Sequence, residues 1–155
     1  MKSFVFIDDP QVQEDLNKLI NLIMKDGRKA KAVKCVVEAF ASMKTHPNYP
    51  KQKSASEVFQ EGIERVCPFL EVRKVRVKGS TYQVPGALHV DRQRSLGLRW
   101  LIQGARRRKP MPFSKALGFE IVDAFRRQGY AIDQRNALHK LAESNRAYAH
   151  FRWWA

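Results

Sequence analysis

The sequence predicts a mainly α-helical fold: a single six-helix domain over residues 1–155, with a protruding two-stranded β-hairpin arm over 71–90. Three observations predict it. Apolar residues recur at helical spacing in six stretches, most of them bounded by a cap residue, a glycine or a proline. One stretch instead alternates apolar and basic residues on either side of Lys78-Gly79-Ser80-Thr81. No repeat, low-complexity segment or long linker divides the 155 residues, and an apolar content of 44% is enough to bury a core.

The first helix opens at Asp9-Pro10, a cap followed by a first-turn proline, and carries Val12, Leu16, Leu19, Ile20 and Ile23 inward. Gly27 is expected to stop it. The second runs from about Arg28 to Lys44 on Val33, Val36, Val37, Phe40 and Met43. Thr45 to Lys53 holds two prolines and reads as a turn-rich connection. Ser54-Ala55-Ser56-Glu57 is a capping box that opens the third helix, with Val58, Phe59, Ile63 and Val66 inward and Pro68 beyond its end. After the hairpin, Asp91 suits the cap of a fourth helix bearing Leu98, Leu101, Ile102 and Ala105. Pro110 and Pro112 restart the chain. A fifth stripe, Leu117, Ile121, Val122 and Phe125, reaches Gly129. Asp133 suits the cap of a sixth, with Leu138, Leu141 and Ala142, up to about Tyr148.

The stretch 71–109 concentrates the charge: eleven Lys or Arg stand against Glu71 and Asp91, a net +9 of the chain's +14. A two-residue turn at Gly79-Ser80 would set Lys78 opposite Thr81, Val77 opposite Tyr82, Arg76 opposite Gln83 and Val75 opposite Val84. Alternation then gathers Lys74, Arg76, Lys78, Thr81 and Gln83 on one face, with Val75, Val77, Tyr82, Val84 and Arg73 on the other. In the following helix Arg92, Arg99 and Arg106 are seven apart, a basic stripe set off from the apolar one. The run Arg106-Arg107-Arg108-Lys109 complements the helix dipole but exceeds what a cap requires. Lys25, Arg28, Lys29, Lys31 and Lys34 crowd the start of the second helix, where cations oppose the dipole. Phosphate contact would explain that cluster; a solvated turn is the plainer reading.

The excess of base, with pI 10.2, implies a polyanionic partner. No apolar run approaches the ~20 residues of a membrane span, and MKSFVFIDDP fits neither a signal nor a transit peptide. Cys35 and Cys67 fall inside apolar helical patterns and read as buried thiols of a reducing compartment. The glycines form no phosphate-cradling loop, there is no C-x-x-C, and the four histidines lack ligand spacing, so no cofactor or metal is expected. His139 and Glu143, four apart, are the one conceivable acid–base pair; a polar helix face accounts for them better, and catalysis is not expected.

A ribbon and a cationic run suit an irregular backbone better than the base edges of a duplex. Aromatic residues lie among the cations: Tyr82, Trp100, Tyr148, Phe151, Trp153 and Trp154. They read either as rings that stack on unpaired bases or as packing residues. RNA is the favoured partner. The rivals are a DNA-binding helical protein, although no dimerisation element is visible, and an RNA-modifying enzyme using His139.

Several ordered blocks also look familiar: Met24-Lys25-Asp26-Gly27-Arg28-Lys29, Pro68-Phe69-Leu70-Glu71-Val72-Arg73, Thr81-Tyr82-Gln83-Val84-Pro85, Arg94-Ser95-Leu96-Gly97-Leu98-Arg99-Trp100, His139-Lys140-Leu141-Ala142-Glu143-Ser144-Asn145-Arg146 and Ala149-His150-Phe151-Arg152-Trp153. Over roughly residues 9–154 they resemble the bacterial-type small-subunit ribosomal protein S-seven family. That resemblance implies a non-enzymatic protein of the small subunit that binds the 3′ major domain of small-subunit rRNA and nucleates head assembly. It implies that the hairpin reaches the E-site tRNA and the mRNA exit. Head proteins are the implied neighbours, with no membrane and no homo-oligomer. Carried over by position, the implied rRNA contacts are Lys25, Arg28, Lys29, Lys31, Arg73, Lys74, Arg76, Lys78, Arg92, Arg94 and Arg99, with Lys140, Arg146 and Arg152. The reading of the residues themselves adds Lys34, Arg106, Tyr82 and Trp100 as expected contacts. The chain departs from the family in a short, partly apolar start, where Phe4–Ile7 is expected to pack on a neighbouring protein, and in an expanded Thr45–Lys53 connection. The Phe151-Arg152-Trp153-Trp154 ending is similar to plant-type mitochondrial members, which favours the mitochondrial matrix over bacterial cytoplasm or plastid.

Overall fold

A computed structural model describes residues 9–154; the expectation for Phe4–Ile7 lies outside them. The order is α1 (Pro10–Ile23), α2 (Lys29–Met43), α3 (Ala55–Val66), β1 (Leu70–Val77), β2 (Ser80–Ala87), α4 (Val90–Arg107), α5 (Phe113–Phe125) and α6 (Tyr130–Ser144). A short 3-10 helix, Arg146–Phe151, follows. The predicted class therefore stands: six α-helices and one antiparallel hairpin.

Local chemistry explains two of the six helix starts. Asp9 accepts the Gln11 N–H at 2.9 Å, ahead of Pro10. Ser54 and Glu57 close the capping box in both directions, at 3.2 and 2.8 Å. Elsewhere the boundaries differ from expectation. α1 ends at Ile23, and Asp26 (φ 52°) and Gly27 (φ 68°) form a left-handed turn beyond it, so Gly27 shapes the turn rather than stopping the helix. His89, not Asp91, takes the cap of α4, and Asp91 lies in its first turn, where a carboxylate still suits the dipole. Gly129 (φ 92°), not Asp133, caps α6, because the chain must reverse sharply after α5. α6 also ends earlier than Tyr148, at Ser144.

α5 lies at the centre, packed against α2, α3, α4 and α6. Leu16, Leu19, Val36, Phe59, Ile63, Leu98, Leu101, Leu117 and Ile121 fill the core between them. The predicted inward stripes of α3 and α4 are buried throughout; Ile23, Val33, Phe40 and Phe125 pack against the core only in part. Val37 and Leu141 face outward instead, and small Ala39 and Ala142 take the inward positions. Close approach is the reason on α2. A Cβ on Gly118 of α5 would lie 2.4 Å from the Ala39 carbonyl oxygen and 2.6 Å from Ser42 Oγ.

The hairpin register also differs. Val77 pairs with Ser80, Arg76 with Thr81, Val75 with Tyr82 and Lys74 with Gln83. The turn is Lys78-Gly79, both left-handed (φ 48° and 84°), as a type I′ turn requires. The shift preserves parity, so the faces survive: Lys74 and Arg76 share one with Thr81 and Gln83, and Val75, Tyr82 and Val84 share the other. Lys78 leaves the ribbon face for the tip.

Two contacts root the hairpin. Leu88 N–H donates to the Phe69 carbonyl at 3.1 Å, extending the pairing past the strands. Phe69 N–H donates to His139 Nε2 of α6 at 3.1 Å, with the two rings stacked 6.0 Å apart. His139 is therefore a neutral acceptor rather than a base beside Glu143, and burial, then the Arg135 charge, lowers its pKa.

A buried polar network ties the far end. Glu120 (1% exposed) accepts the Ala131 N–H at 3.1 Å and Arg108 Nε at 2.8 Å. Arg108 also donates to Asp123 at 2.5 Å, and His46 Nε2 lies 3.4 Å from the same carboxylate. Burial lowers the His46 pKa, opposed by Asp123 and reinforced by Arg108 and Arg126.

Two outcomes follow from this packing. Gly118→Ala should destabilise by about 2–3 kcal/mol in urea unfolding, because backbone rather than a flexible side chain blocks the new methyl. His46 and His139 both titrate below the ordinary 6.5 in the folded chain. The unfolded chain therefore binds more protons just below pH 6.5, and stability falls as pH drops from there, with no such loss above it. The urea midpoint should decline from pH 6.5 to 5, and less steeply in His139→Gln. A midpoint flat across that range would rule this out.

Candidate nucleic-acid interface

The cations divide by whether the protein neutralises them itself. Arg94 is held inside: its guanidinium (16% exposed) donates to Asp15, 1% exposed, across the α1–α4 contact. Burial raises the Asp15 carboxyl against the pull of Arg94, and its Oδ1 has no hydrogen-bond partner among the described residues. Arg94, predicted at the interface, thus serves the core. Arg108 is likewise bound to Glu120 and Asp123, and Arg107 lies over the Tyr130 ring at 4.6 Å. Of the run at the end of α4, Arg106, Arg107 and Lys109 remain exposed and without an ion pair among the described residues.

The free cations gather around the end of α1. Lys25, Arg28 and Lys31 line a depression of about 280 Å³ with Ile23, Met24 and Asp26. Lys29 and Lys34 are exposed beside it on α2. Leu22, one residue before Ile23, lines a neighbouring notch with Arg99 and Arg106 of the α4 stripe. The α1–α2 turn and the α4 stripe, seventy residues apart in sequence, therefore flank one helix end. The left-handed turn at Asp26-Gly27 holds the first group in place, and the burial of Leu98, Leu101 and Ile102 turns the second outward.

Arg92, the first of the stripe, lies 3.6 Å from Glu71 at the ribbon root, and Arg73 donates to the same carboxylate at 2.8 Å. Lys74, Arg76 and Lys78 are exposed along the arm with no ion pair among the described residues. The arm thus offers a cationic face, and its other face is covered. Tyr82 packs on Tyr148 (5.0 Å between centroids) and Phe151 (4.9 Å), and the 3-10 helix lies along β2. Trp100 packs against the helical core. For both aromatic rings the packing reading is the one seen here. Arg146 and Arg152 line a groove of about 560 Å³ between α6 and the ribbon root, with Phe69, Leu70 and Pro85. Lys140 is exposed on α6 but outside that lining.

Sequence reasoning missed three features. His46 is buried in the polar network although it sits in a proline-rich connection that reads as surface. Phe69 is 67% exposed at the ribbon root, and only its position before a strand hints at it. Trp154 lies against Gly86, where an added Cβ would press on its ring at 3.2 Å. Among the described residues no group of three His, Cys, Asp or Glu could hold a metal. Cys67 is buried, its thiol pushed up to about 11 by burial, whereas Cys35 is only half-buried; both are free.

The arrangement is a rigid helical block that presents unpaired cations on a turn, a helix stripe and an arm. Comparison with known proteins identifies the relatives of the chain. The chain is 43% identical over 138 residues to the small ribosomal subunit protein uS7 of Kosmotoga olearia, covering 89% of this chain and 86% of the relative. It is 47% identical over 138 residues to that of Metamycoplasma arthritidis, with the same coverage. With that of Thermodesulfovibrio yellowstonii it shares 44% over 148 residues, 95% of this chain and 92% of the relative. The model of the ribosomal protein S7p/S5e family matches residues 2–146, and the chain belongs to that family.

Proposed function

We propose that this protein is a structural constituent of the small ribosomal subunit that binds rRNA through the surface around the end of α1 and along the hairpin. The observation that carries this reading is the sorting of charge. Seven of the fifteen acidic residues (Glu14, Asp15, Glu61, Glu71, Asp91, Glu120 and Asp123) are in ion pairs within the protein. The predicted contacts Lys25, Arg28, Lys29, Lys31, Lys34, Lys74, Arg76, Lys78, Arg99 and Arg106 are exposed, with no such pair among the described residues. Like charges gathered without counterions cost stability, and phosphate is the counterion that the arrangement fits.

In this reading the free cations neutralise phosphates of several RNA segments and hold them in one arrangement, with the 3′ major domain of the small-subunit rRNA as the target and the subunit head as the structure that assembles on it. The cationic arm extends toward E-site tRNA and the mRNA exit. Arg73 and Arg92 share Glu71 and act mainly at the ribbon root, and Arg94 contributes through folding. Tyr82 and Trp100 support the scaffold. No chemistry is expected of His139, which is engaged as the acceptor of the Phe69 N–H. The mitochondrial matrix remains the compartment we favour, on the Phe151–Trp154 ending alone; the relatives compared are bacterial.

The test is a salt titration of binding to a 3′-domain rRNA fragment, beside an unrelated structured RNA and duplex DNA. Contact with ~8 phosphates gives a log–log slope of roughly −6 to −7. Neutralising Lys74, Arg76 and Arg99 together should make that slope shallower by about 2–3 and remove the preference for the fragment. Arg94→Ala should lower the urea midpoint instead. Equal affinity of the native chain for all three polymers would overturn the reading.

A further inference from the structure

The tail after α6 is pinned along most of its length yet leaves one large ring uncovered. Tyr148 and Phe151 pack on Tyr82 of the ribbon. Trp154 is seated on β2: a Cβ at Gly86 would come within 3.2 Å of its Nε1. The Arg73 guanidinium lies over the Trp154 ring at 5.2 Å. Between these anchors, Trp153 is 81% exposed. Its only ring contact among the described residues is edge-on, with Trp154 at 5.6 Å and 86°.

An exposed indole that is free to move would fold down onto the nearest apolar surface, since burying its area is favourable. Here the neighbours on both sides hold the backbone, and the apolar surface at Gly86 is already taken by Trp154. Trp153 is therefore presented rather than merely exposed. The charge around it selects the partner. From Arg146 to Trp154 the chain carries Arg146, His150 and Arg152 and no carboxylate side chain. Arg152 is exposed, with no ion pair among the described residues. A flat ring beside a free guanidinium matches a nucleotide, base to ring and phosphate to cation.

We propose that Trp153 is a base-stacking platform, taking the face of an unpaired RNA base while Arg152 holds the adjacent phosphate. This rests on the RNA-binding reading above and adds a contact to a base, where the cations supply only contacts to the backbone. The site suits any unpaired base, because every base offers a π-face.

The experiment uses the full chain with two oligomers of about eight nucleotides, one of uridines and one abasic. Phosphates are equal in number, so the two differ only in the bases. W153A should lose about five- to tenfold in affinity for the uridine oligomer and nothing for the abasic one. W153F should recover most of the loss. The ring is exposed, so W153A should keep the native urea midpoint. As a check independent of any variant, the uridine oligomer should quench tryptophan emission of the native chain and the abasic one should not. Unchanged affinity of W153A for uridines, an equal loss on both oligomers, or no binding of uridines by the native chain would each overturn the proposal. Unchanged W153A affinity in a chain that still prefers the rRNA fragment would mean that a protein neighbour covers the ring. The loss of that preference in the native chain would instead bring down the reading on which the platform rests.

Discussion

Glu120 carries a charge that water does not reach, and a lone buried carboxylate costs several kcal/mol. Three things offset that cost here: Arg108 at the end of α4, the Ala131 N–H in the first turn of α6, and the positive end of the α6 dipole. None is available unless α4, α5 and α6 meet at one relative placement. Gly104 and Gly129 make the room, since a Cβ at either would come within 3.0 Å of the carboxylate. Hydrophobic contact alone tolerates sliding of one helix along another; this network does not. The position of α6 matters beyond the core because it carries His139, and through His139 the root of the arm.

The same logic sorts the basic residues. A cation that must cross an apolar contact meets a carboxylate, as Arg94 meets Asp15 and Arg108 meets Glu120. A cation on the α1–α2 turn, on the arm beyond its root (Lys74, Arg76, Lys78) or at Arg99 and Arg106 of the α4 stripe meets water. Arg94 and Arg99 show the rule on one helix. Five residues apart, they point to different sides, and one is bound inside while the other stays free. Net charge therefore overstates the free cationic surface at some positions and matches it at others, and burial decides which.

How much of this was legible in the sequence depended on how local the cause was. The capping box at Ser54–Glu57, the apolar stripes of α3 and α4 and the two faces of the hairpin follow from residues a few positions apart, and all were readable. The hairpin register was misread because Lys78, not Ser80, takes the left-handed turn position, a role that residue type alone makes improbable. The faces survived because the shift kept parity. Arg94 was read as an interface residue because its partner, Asp15, lies seventy-nine positions away on another helix. His46 was invisible for the same reason: its burial depends on Asp123 and on the edge of Phe119, 4.7 Å away. Outward-facing Val37 and Leu141 obey helical periodicity and were still misplaced; at Val37 the reason is close approach of the α2 and α5 backbones, which favours alanine on the inward side.

A two-stranded ribbon by itself is marginal in water, so an arm bearing exposed cations must be held by something else. Here the root supplies a backbone hydrogen bond to α6 and the shared Glu71, with Arg92 reaching it from α4. The tail supplies the rest: Tyr148, Phe151 and Trp154 cover the less basic face of the arm with a half-buried aromatic cluster. That placement explains why the aromatic residues lie among the cations in sequence without competing with them in space. Rings on one face stiffen the ribbon, and charges on the other keep their freedom to meet phosphate. In the proposed reading stiffness bears directly on binding, because an arm already in position loses less conformational entropy when it engages RNA. There the aromatic tail would contribute to affinity even where its rings touch no nucleotide.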